Sequence, residues 1–433
     1  MKPSITIFCT SALLLMFGLS SPCGAAKLRP EEQKIVAYLK KSQDQQITLL
    51  EELSNINSGT LNKTGVKAVS DVFMREFADM GFELEFEAMP DSVNRAGHFY
   101  ARRSGTKGKR LMLIGHLDTV FESDSSFQKF ERKGANATGP GVVDMKGGNI
   151  AILFALKALH QQGLLDDTSI TVVFTGDEES VGDPISTSRA SFIQAAKNSD
   201  IALGFEGGSP GLAVAGRRGS SSWKIDITAK QAHSSGVFSS NVGPGAIYEA
   251  ARILNAFYTQ LHPEKNLTFN AALIIGGSEV QMLEGKSSGN VTSKLNIVPP
   301  STIIKGDLRF ISQQQLSDTQ NRMHEIVSQN LPHAKAEIEF FEAYPAMFPT
   351  EKNLALVAQY SQVSQDLGFG KVEAQDPGTR GAGDISFVAE YVDCIDGLGV
   401  FGRGSHTENE TIELGSLQIS SQRAALMIYR LTR

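Results

Sequence analysis

Short apolar runs alternate along the chain with longer segments in which apolar side chains recur every three or four positions. RLMLIGHLDTV (110–120), SITVVFTGDEES (169–180) and IALGFEGG (201–208) are too short for helices and close on polar residues, so they read as buried strands. Between the first two lies KGGNIAILFALKALHQQGLL (146–165), whose spacing predicts a helix, and PEEQKIVAYLKKSQDQQITLLEELSNI (30–56) predicts an opening helical stretch. Strand and helix in alternation predict an α/β fold, a mostly parallel sheet sandwiched by helices. In such sheets ligands bind at the carboxyl ends of the strands.

From about residue 214 the order changes. Strand 220–230, helix 244–261, strands 267–277 and 301–310, helix 317–331 and strand 335–345 follow one another. That succession is the split βαβ, ferredoxin-like α+β arrangement. Helix and strand alternation resumes over 356–369 and 392–402. The expectation is a catalytic domain in two parts, 27–213 and 346–433, interrupted by an inserted dimerisation domain at 214–345. Ahead of it, residues 1–26 carry the basic Lys2, an apolar run from Ile5 to Leu19 and small residues ending at Ala26. This is the pattern of a cleaved signal peptide, which predicts an exported protein, periplasmic or secreted, without stable membrane insertion. A lipidated Cys23 is the minority reading, because Ser20, Ser21 and Pro22 before it suit lipidation poorly.

Composition narrows the partners. Hydrophobic residues at 41% and charged residues at 20% exclude a disordered chain, and a net charge of -6 argues against a nucleic-acid surface. Small solutes are the expected ligands. Of three cysteines only Cys394 lies beyond the signal, which excludes an internal disulfide in the exported protein. Cys394 sits in an apolar run and reads as packing.

The candidate chemistry gathers at the strand ends. His116 and Asp118, two positions apart in extended chain, share a face and can meet a common partner. Asp144 precedes a helix in GPGVVDMKGG, Glu178 and Glu179 close TGDEES, Glu206 lies in GFEGG and His406 in GRGSHTENE. Several carboxylates focused on one edge repel one another unless cations sit among them. Imidazole and carboxylate donors without thiolate suit two Zn2+ per chain, with Co2+ or Mn2+ also accommodated.

HLD, GPGVVDMKGG, DEE, FEG and SHTENE, in this order, resemble the co-catalytic di-zinc peptidases that include glutamate carboxypeptidase, aminoacylase, acetylornithine deacetylase and succinyl-diaminopimelate desuccinylase. The resemblance implies that His116 and Glu206 bind one metal, His406 and Glu179 the other, and Asp144 both. Asp118 would orient the His116 ring, and Glu178 would be the general base acting on a metal-activated water. It further implies that His233, in KQAHSSG, reaches the active site of the partner in a homodimer, and that Asn296, in LNIVPP, lies near the substrate carboxylate. Arg309 in GDLRF suits bidentate capture of that carboxylate. Gly381, Gly383 and Asp384 in TRGAGDIS resemble a glycine-rich loop beside the substrate, with Arg380 in reach of the substrate or an acidic neighbour. Two departures stand out: Tyr344 occupies a position where glutamate-preferring members carry arginine, and the stretch 179–192 is long. The implied activity is a carboxypeptidase or dipeptidase on short peptides. An N-acyl-amino-acid deacylase and a metal-stabilised peptide-binding protein are the alternatives. His98, His160, His262, His324 and His333 carry no comparable pattern.

Overall fold

The computed structural model describes residues 28–262, 264–283 and 288–433, and the signal-peptide stretch 1–26 with Cys23 lies outside the described residues. The opening helical stretch is two helices, α1 (Pro30–Lys41) and α2 (Gln43–Ser54). Ser42 divides them because its hydroxyl and its N–H both turn back to the Leu39 carbonyl, at 3.0 and 3.2 Å. α3 (Lys63–Phe77) follows, capped by the Asn62 side chain, which accepts from the Gly65 N–H.

The first sheet comprises β1 (Glu83–Ala88), β2 (Gly97–Arg103), β3 (Lys107–His116), then, after α4 (Lys146–Gln161), β4 (Thr168–Thr175) and β5 (Ile201–Gly204). The second comprises β6 (Gly219–Ala229), α5 (Ala246–Leu261), β7 (Thr268–Gly277), β8 (Ser301–Phe310), α6 (Gln313–Ser328) and β9 (Ala334–Tyr344). The chain then returns to the first sheet through α7 (Glu351–Asp366), β10 (Asp393–Ile395) and α8 (Gly415–Leu431).

Strand order in the first sheet is β1-β2-β4-β3-β5-β10. The last four strands are mutually parallel, while β1 and β2 add antiparallel to the β4 edge, an extension the strand reading above does not contain. Alternation divides each central strand between two apolar layers. Leu111, Leu113 and Val172 pack with α4 and α8, and Met112, Ile114 and Val173 pack with Phe192, Ile385 and Cys394 on the other side. A sheet covered on both faces explains why β3 and β4 read as continuous apolar runs.

The second sheet has the order β7-β8-β6-β9, antiparallel throughout. It is covered on one face only: β8 alternates half-buried and buried residues along its length. Trp223, Ile225, Ile304 and Leu308 form a separate core with Phe257 of α5 and Met323 of α6.

Candidate active site

Three neighbouring parallel strands bring the polar residues to one edge. β3 lies between β4 and β5, in a register that pairs His116 with Thr175 and Ile114 with Gly204. Just past those pairs come Asp118 after β3, Asp177, Glu178 and Glu179 after β4, and Glu206 after β5. Asp144 arrives from another direction, immediately before α4, where unpaired helix N–H groups favour a carboxylate. His406 comes from the loop between β10 and α8. Its backbone is left-handed at φ 65°, in a turn where the Thr407 N–H and hydroxyl both donate to the Gly404 carbonyl.

The donors fall into two sets that share Asp144. His116 Nε2 lies 3.2 Å from Asp144 Oδ1 and 3.6 Å from Glu206 Oε1. His406 Nε2 lies 3.1 Å from Asp144 Oδ2 and 3.2 Å from Glu179 Oε2. One carboxylate oxygen of Asp144 therefore faces each imidazole. Ligand atoms of His116, Asp144 and Glu179 all come within 4.8 Å of one another, as do those of His116, Glu178 and Glu206. Glu179 Oε1 is buried with no hydrogen-bond partner among the described residues, an acceptor that a cation would satisfy. The residues present fit a pair of divalent metals bound by nitrogen and oxygen.

The charges agree. Burial and the Asp144 carboxylate push Glu206 up to about 8 and also raise Glu179. Burial, then the Glu206, Asp384 and Glu179 carboxylates, hold Glu178 well above the usual range. Asp144 moves the opposite way: burial opposes its ionisation, but hydrogen bonds from both imidazoles outweigh that. Hydrogen bonds to Asp144 and Glu179 push His406 up to about 11. His116 is raised too, because Asp118 and Asp144 overcome the effect of its burial. A metal entering the cluster therefore competes with protons for these groups.

Buried partners from distant parts of the chain hold these groups in place. The His116 Nδ1–H donates to the Asp118 main-chain carbonyl at 3.0 Å, with the Asp118 carboxylate at 3.4 Å. That carboxylate also accepts the N–H groups of Glu178 and Glu179, each at 3.1 Å, and the Thr60 hydroxyl at 2.7 Å. Glu410 accepts from the N–H groups of Gly141, Val143 and Asp144 at 2.9, 2.7 and 2.9 Å. The long stretch 179–192 folds back on its origin: Arg189 donates to Asp177 at 2.5 Å and to Asp384 at 3.0 Å, and Ser188 donates to Asp177 at 2.6 Å. From the second sheet, the Tyr344 hydroxyl donates to the Glu178 carbonyl.

A cavity of about 640 Å3 opens over this edge, a size suited to a small organic ligand. The register of β8, β6 and β9 sets Arg309, Ser220 and Tyr344 in one row, and all three line it. Arg380 and Gly381 line it as well. Gly383 does not: it is buried, where an added Cβ would stand 3.1 Å from the Arg217 guanidinium. Asp384 is likewise buried, bonded to Arg189 rather than facing the cavity. His233 and Asn296 are exposed and lie outside the cavity lining. They lie beside one another, since the Ser234 N–H donates to the Asn296 carbonyl at 2.8 Å.

The sequence reading missed Glu410, Arg189, Arg217 and Asp396. A signal exists for the last two, because Asp396 is the one charge in the apolar run CIDGLGV and Arg217 follows the apolar GLAVAG. A charge inside an apolar run implies a buried partner, and Arg217 Nε does donate to Asp396 at 2.7 Å.

Residues 112–430 match the family model described as Peptidase family M20/M25/M40. The chain is 28% identical to carboxypeptidase G2 of Pseudomonas sp. (strain RS-16), over 99% of this chain and 98% of that protein. Among solved structures it resembles a tripeptidase from Staphylococcus aureus, with TM-score 0.68 and 19% identity over 90% of this chain and 99% of that one. It also resembles a dinuclear metal-binding peptidase of the M20 family from Bacillus subtilis, with TM-score 0.65 and 14% identity over 91% and 99% of the two chains. A match over most of the chain, on the strand ends that carry the paired donor sets, places this protein in peptidase family M20/M25/M40 as a metal-dependent hydrolase.

Proposed function

We propose that the protein is a di-zinc exopeptidase that hydrolyses the amide bond next to a free carboxylate in dipeptides or short peptides. The observation that carries this reading is the sharing of Asp144 between two imidazole and carboxylate pairs, with Glu178 beside them. His116, Glu206 and Asp144 would hold one metal, and His406, Glu179 and Asp144 the other. Bound there, the two cations would supply the Lewis acidity that polarises a carbonyl and acidifies a water.

Glu178 would take a proton from the attacking water as the water oxygen bonds to the carbonyl carbon. It returns the proton to the nitrogen as the C–N bond breaks, so no covalent enzyme intermediate forms. Asp118 fixes the Glu178 and Glu179 main chain through its carboxylate and the His116 ring through its carbonyl, keeping base and ligands in one frame. Arg309, whose Nε is engaged by Asp307 at 3.1 Å and whose terminal nitrogens have no hydrogen-bond partner among the described residues, would offer those nitrogens to the substrate carboxylate. His233 and Asn296, adjacent and exposed, would complete the site of a second copy in a homodimer. The signal-like start is consistent with export, and no helix among the described residues is long and apolar enough to cross a membrane.

Turnover of metal-reconstituted protein against dipeptides and N-acyl amino acids, with and without chelator, tests the reading. Chelator-sensitive release of C-terminal residues from peptides is the expected result. Cleavage confined to N-acyl amino acids would make the enzyme a deacylase instead. The dimer is tested by mixing inactive Glu178→Gln and His233→Ala chains: activity returns if each site borrows His233 from its partner, and stays absent if it does not.

A further inference from the structure

Tyr344 ends β9, and a shift of register decides which way it points. β9 pairs with β6 as Phe341 with Ser222 and Glu342 with Ser221, and then as Tyr344 with Ser220, so that Ala343 is one residue too many for the ladder. In a regular ladder Ala343 would stand opposite Ser220, and Tyr344 would fall on the covered face of the sheet, with Ser221 and Trp223. The bulge turns it over, into the row of Ser220 and Arg309 that lines the cavity. Because side chains alternate along a strand, one extra residue is enough to re-aim the next side chain.

Turned to that face, the Tyr344 ring lies against Phe387, in the apolar layer of Met112 and Ile114, with the ring centroids 5.1 Å apart. Its hydroxyl donates to the Glu178 carbonyl. A carbonyl only accepts, and burial together with the Glu178 and Asp384 carboxylates raises the pKa of the phenol, which therefore stays a donor. The other end of the same peptide group is held too: the Glu179 N–H donates to Asp118 at 3.1 Å. A peptide group is a rigid plane, so pinning its carbonyl and its N–H fixes how the Glu178 and Glu179 side chains leave the chain. Asp118 grips this plane from the first sheet, and Tyr344 grips it from the second.

We infer that Tyr344 is a positioning residue for the general base: its hydroxyl ties the Glu178 main chain to the strand row that presents Arg309 to the cavity. Neighbouring strands are about 4.8 Å apart, so Arg309 and Tyr344 stand roughly 10 Å from one another across Ser220. A substrate carboxylate on Arg309 and the main chain of the base are thereby placed from one ladder of hydrogen-bonded strands, at a spacing that the ladder sets. Without the hydroxyl, the base keeps its anchor on the first sheet but loses its alignment with a substrate held by the second. The inference rests on the hydrolase reading and adds to it a residue that acts through Glu178.

Tyr344→Phe removes the hydroxyl and keeps the ring on Phe387. In the metal-loaded enzyme, kcat for alanyl-phenylalanine is expected to fall about five- to tenfold, with KM and metal content unchanged. The ester analogue, alanine esterified to phenyllactate, should lose less, because its leaving oxygen depends less than an amide nitrogen on a proton from Glu178. A role in folding alone would depress both substrates together. An unaltered kcat, an equal loss for peptide and ester, or a raised KM with kcat kept overturns the inference while leaving the hydrolase reading intact. Where the native protein does not cleave alanyl-phenylalanine, hydrogen exchange over residues 176–181 decides instead. Faster exchange there in Tyr344→Phe supports the inference, and equal exchange in the two proteins refutes it. Only the absence of cleavage for every peptide and N-acyl amino acid counts against the hydrolase reading itself.

Discussion

The strand ends of the first sheet and the end of the second sheet both face the cavity, but their functional side chains are held in different ways. Asp118 is fixed by Thr60, 58 positions away, Asp144 by Glu410, 266 away, and Asp177 and Asp384 by a single buried arginine, Arg189. Arg309 of the second sheet leans on Asp307, and His233, in the segment after β6, on Ser235, each only two positions away and exposed or half-exposed. Partners far apart in sequence lock a side chain to the tertiary structure, whereas partners two positions away leave it freer to follow a ligand. The first region is therefore the more firmly preorganised of the two, and the second is held by shorter-range contacts.

The comparison predicts where a substitution should abolish function without disturbing structure. Glu178 lies beside the two imidazole and carboxylate pairs without belonging to either, so Glu178→Gln should keep metal and fold while turnover falls by roughly 10^2 to 10^4-fold. Metal analysis beside steady-state kinetics checks it. Loss of metal together with activity would make Glu178 a ligand instead, and undiminished turnover would remove it from the mechanism.

Next in size is the loss of a long-range tether. Glu410→Gln replaces a carboxylate that accepts three backbone N–H groups by an amide that can accept with only one of its two heteroatoms. Leaving a buried donor unmatched costs about 1 to 3 kcal/mol, and metal affinity should fall by about 10 to 100-fold because Asp144 loses its anchor. Thermal unfolding and competition against a chelator measure the two effects. Lost stability with unaltered metal affinity would show that the anchor serves the fold alone.

How far the sequence disclosed all this follows the same division. The cluster at the strand ends was legible because His116, Glu178, Glu179 and Glu206 each follow an apolar run, and a polar residue there is conspicuous. β3, β4, α4 and the succession from β6 to β9 were legible for a related reason: burial forces apolar periodicity on them. β1 was overlooked although Glu83, Glu85 and Glu87 alternate with Leu84 and Phe86; its half-exposed edge position left only a weak apolar signal. The tethers were harder still. Nothing near Glu410 in sequence says that it faces Gly141, and Arg189 lies in a stretch rich in turn residues, whose fold depends on the same arginine bonding back to Asp177. Neighbouring contacts are written in adjacent residues, but long-range ones appear only once the sheet has brought its loops together.

On the adaptable side the effect should be smaller and of another kind. Arg309→Ala removes a half-exposed side chain with a single side-chain partner among the described residues, so the fold should be spared. KM for substrates with a free carboxylate should rise about tenfold with little change in kcat. A matching fall in kcat would mean that Arg309 is held as firmly as the cradle residues, which would erase the distinction between the two regions.

The finest test sets one tether of each kind against the other. Thr60→Val keeps the shape of a buried side chain and removes one of three donors to the Asp118 carboxylate; the N–H groups of Glu178 and Glu179 remain. A loss of about 1 kcal/mol in unfolding free energy and a few-fold weaker metal binding are expected. Ser235→Ala removes the hydroxyl that stands 2.8 Å from His233 Nδ1 on an exposed loop, and its unfolding temperature should match the parent protein. If Ser235→Ala were the more damaging of the two, the exposed pair would be the rigid one, and preorganisation would have to be sought on the second sheet. If both changes are silent, the Asp118 main-chain contacts alone hold the cradle, and the hydroxyl of Thr60 only fills space.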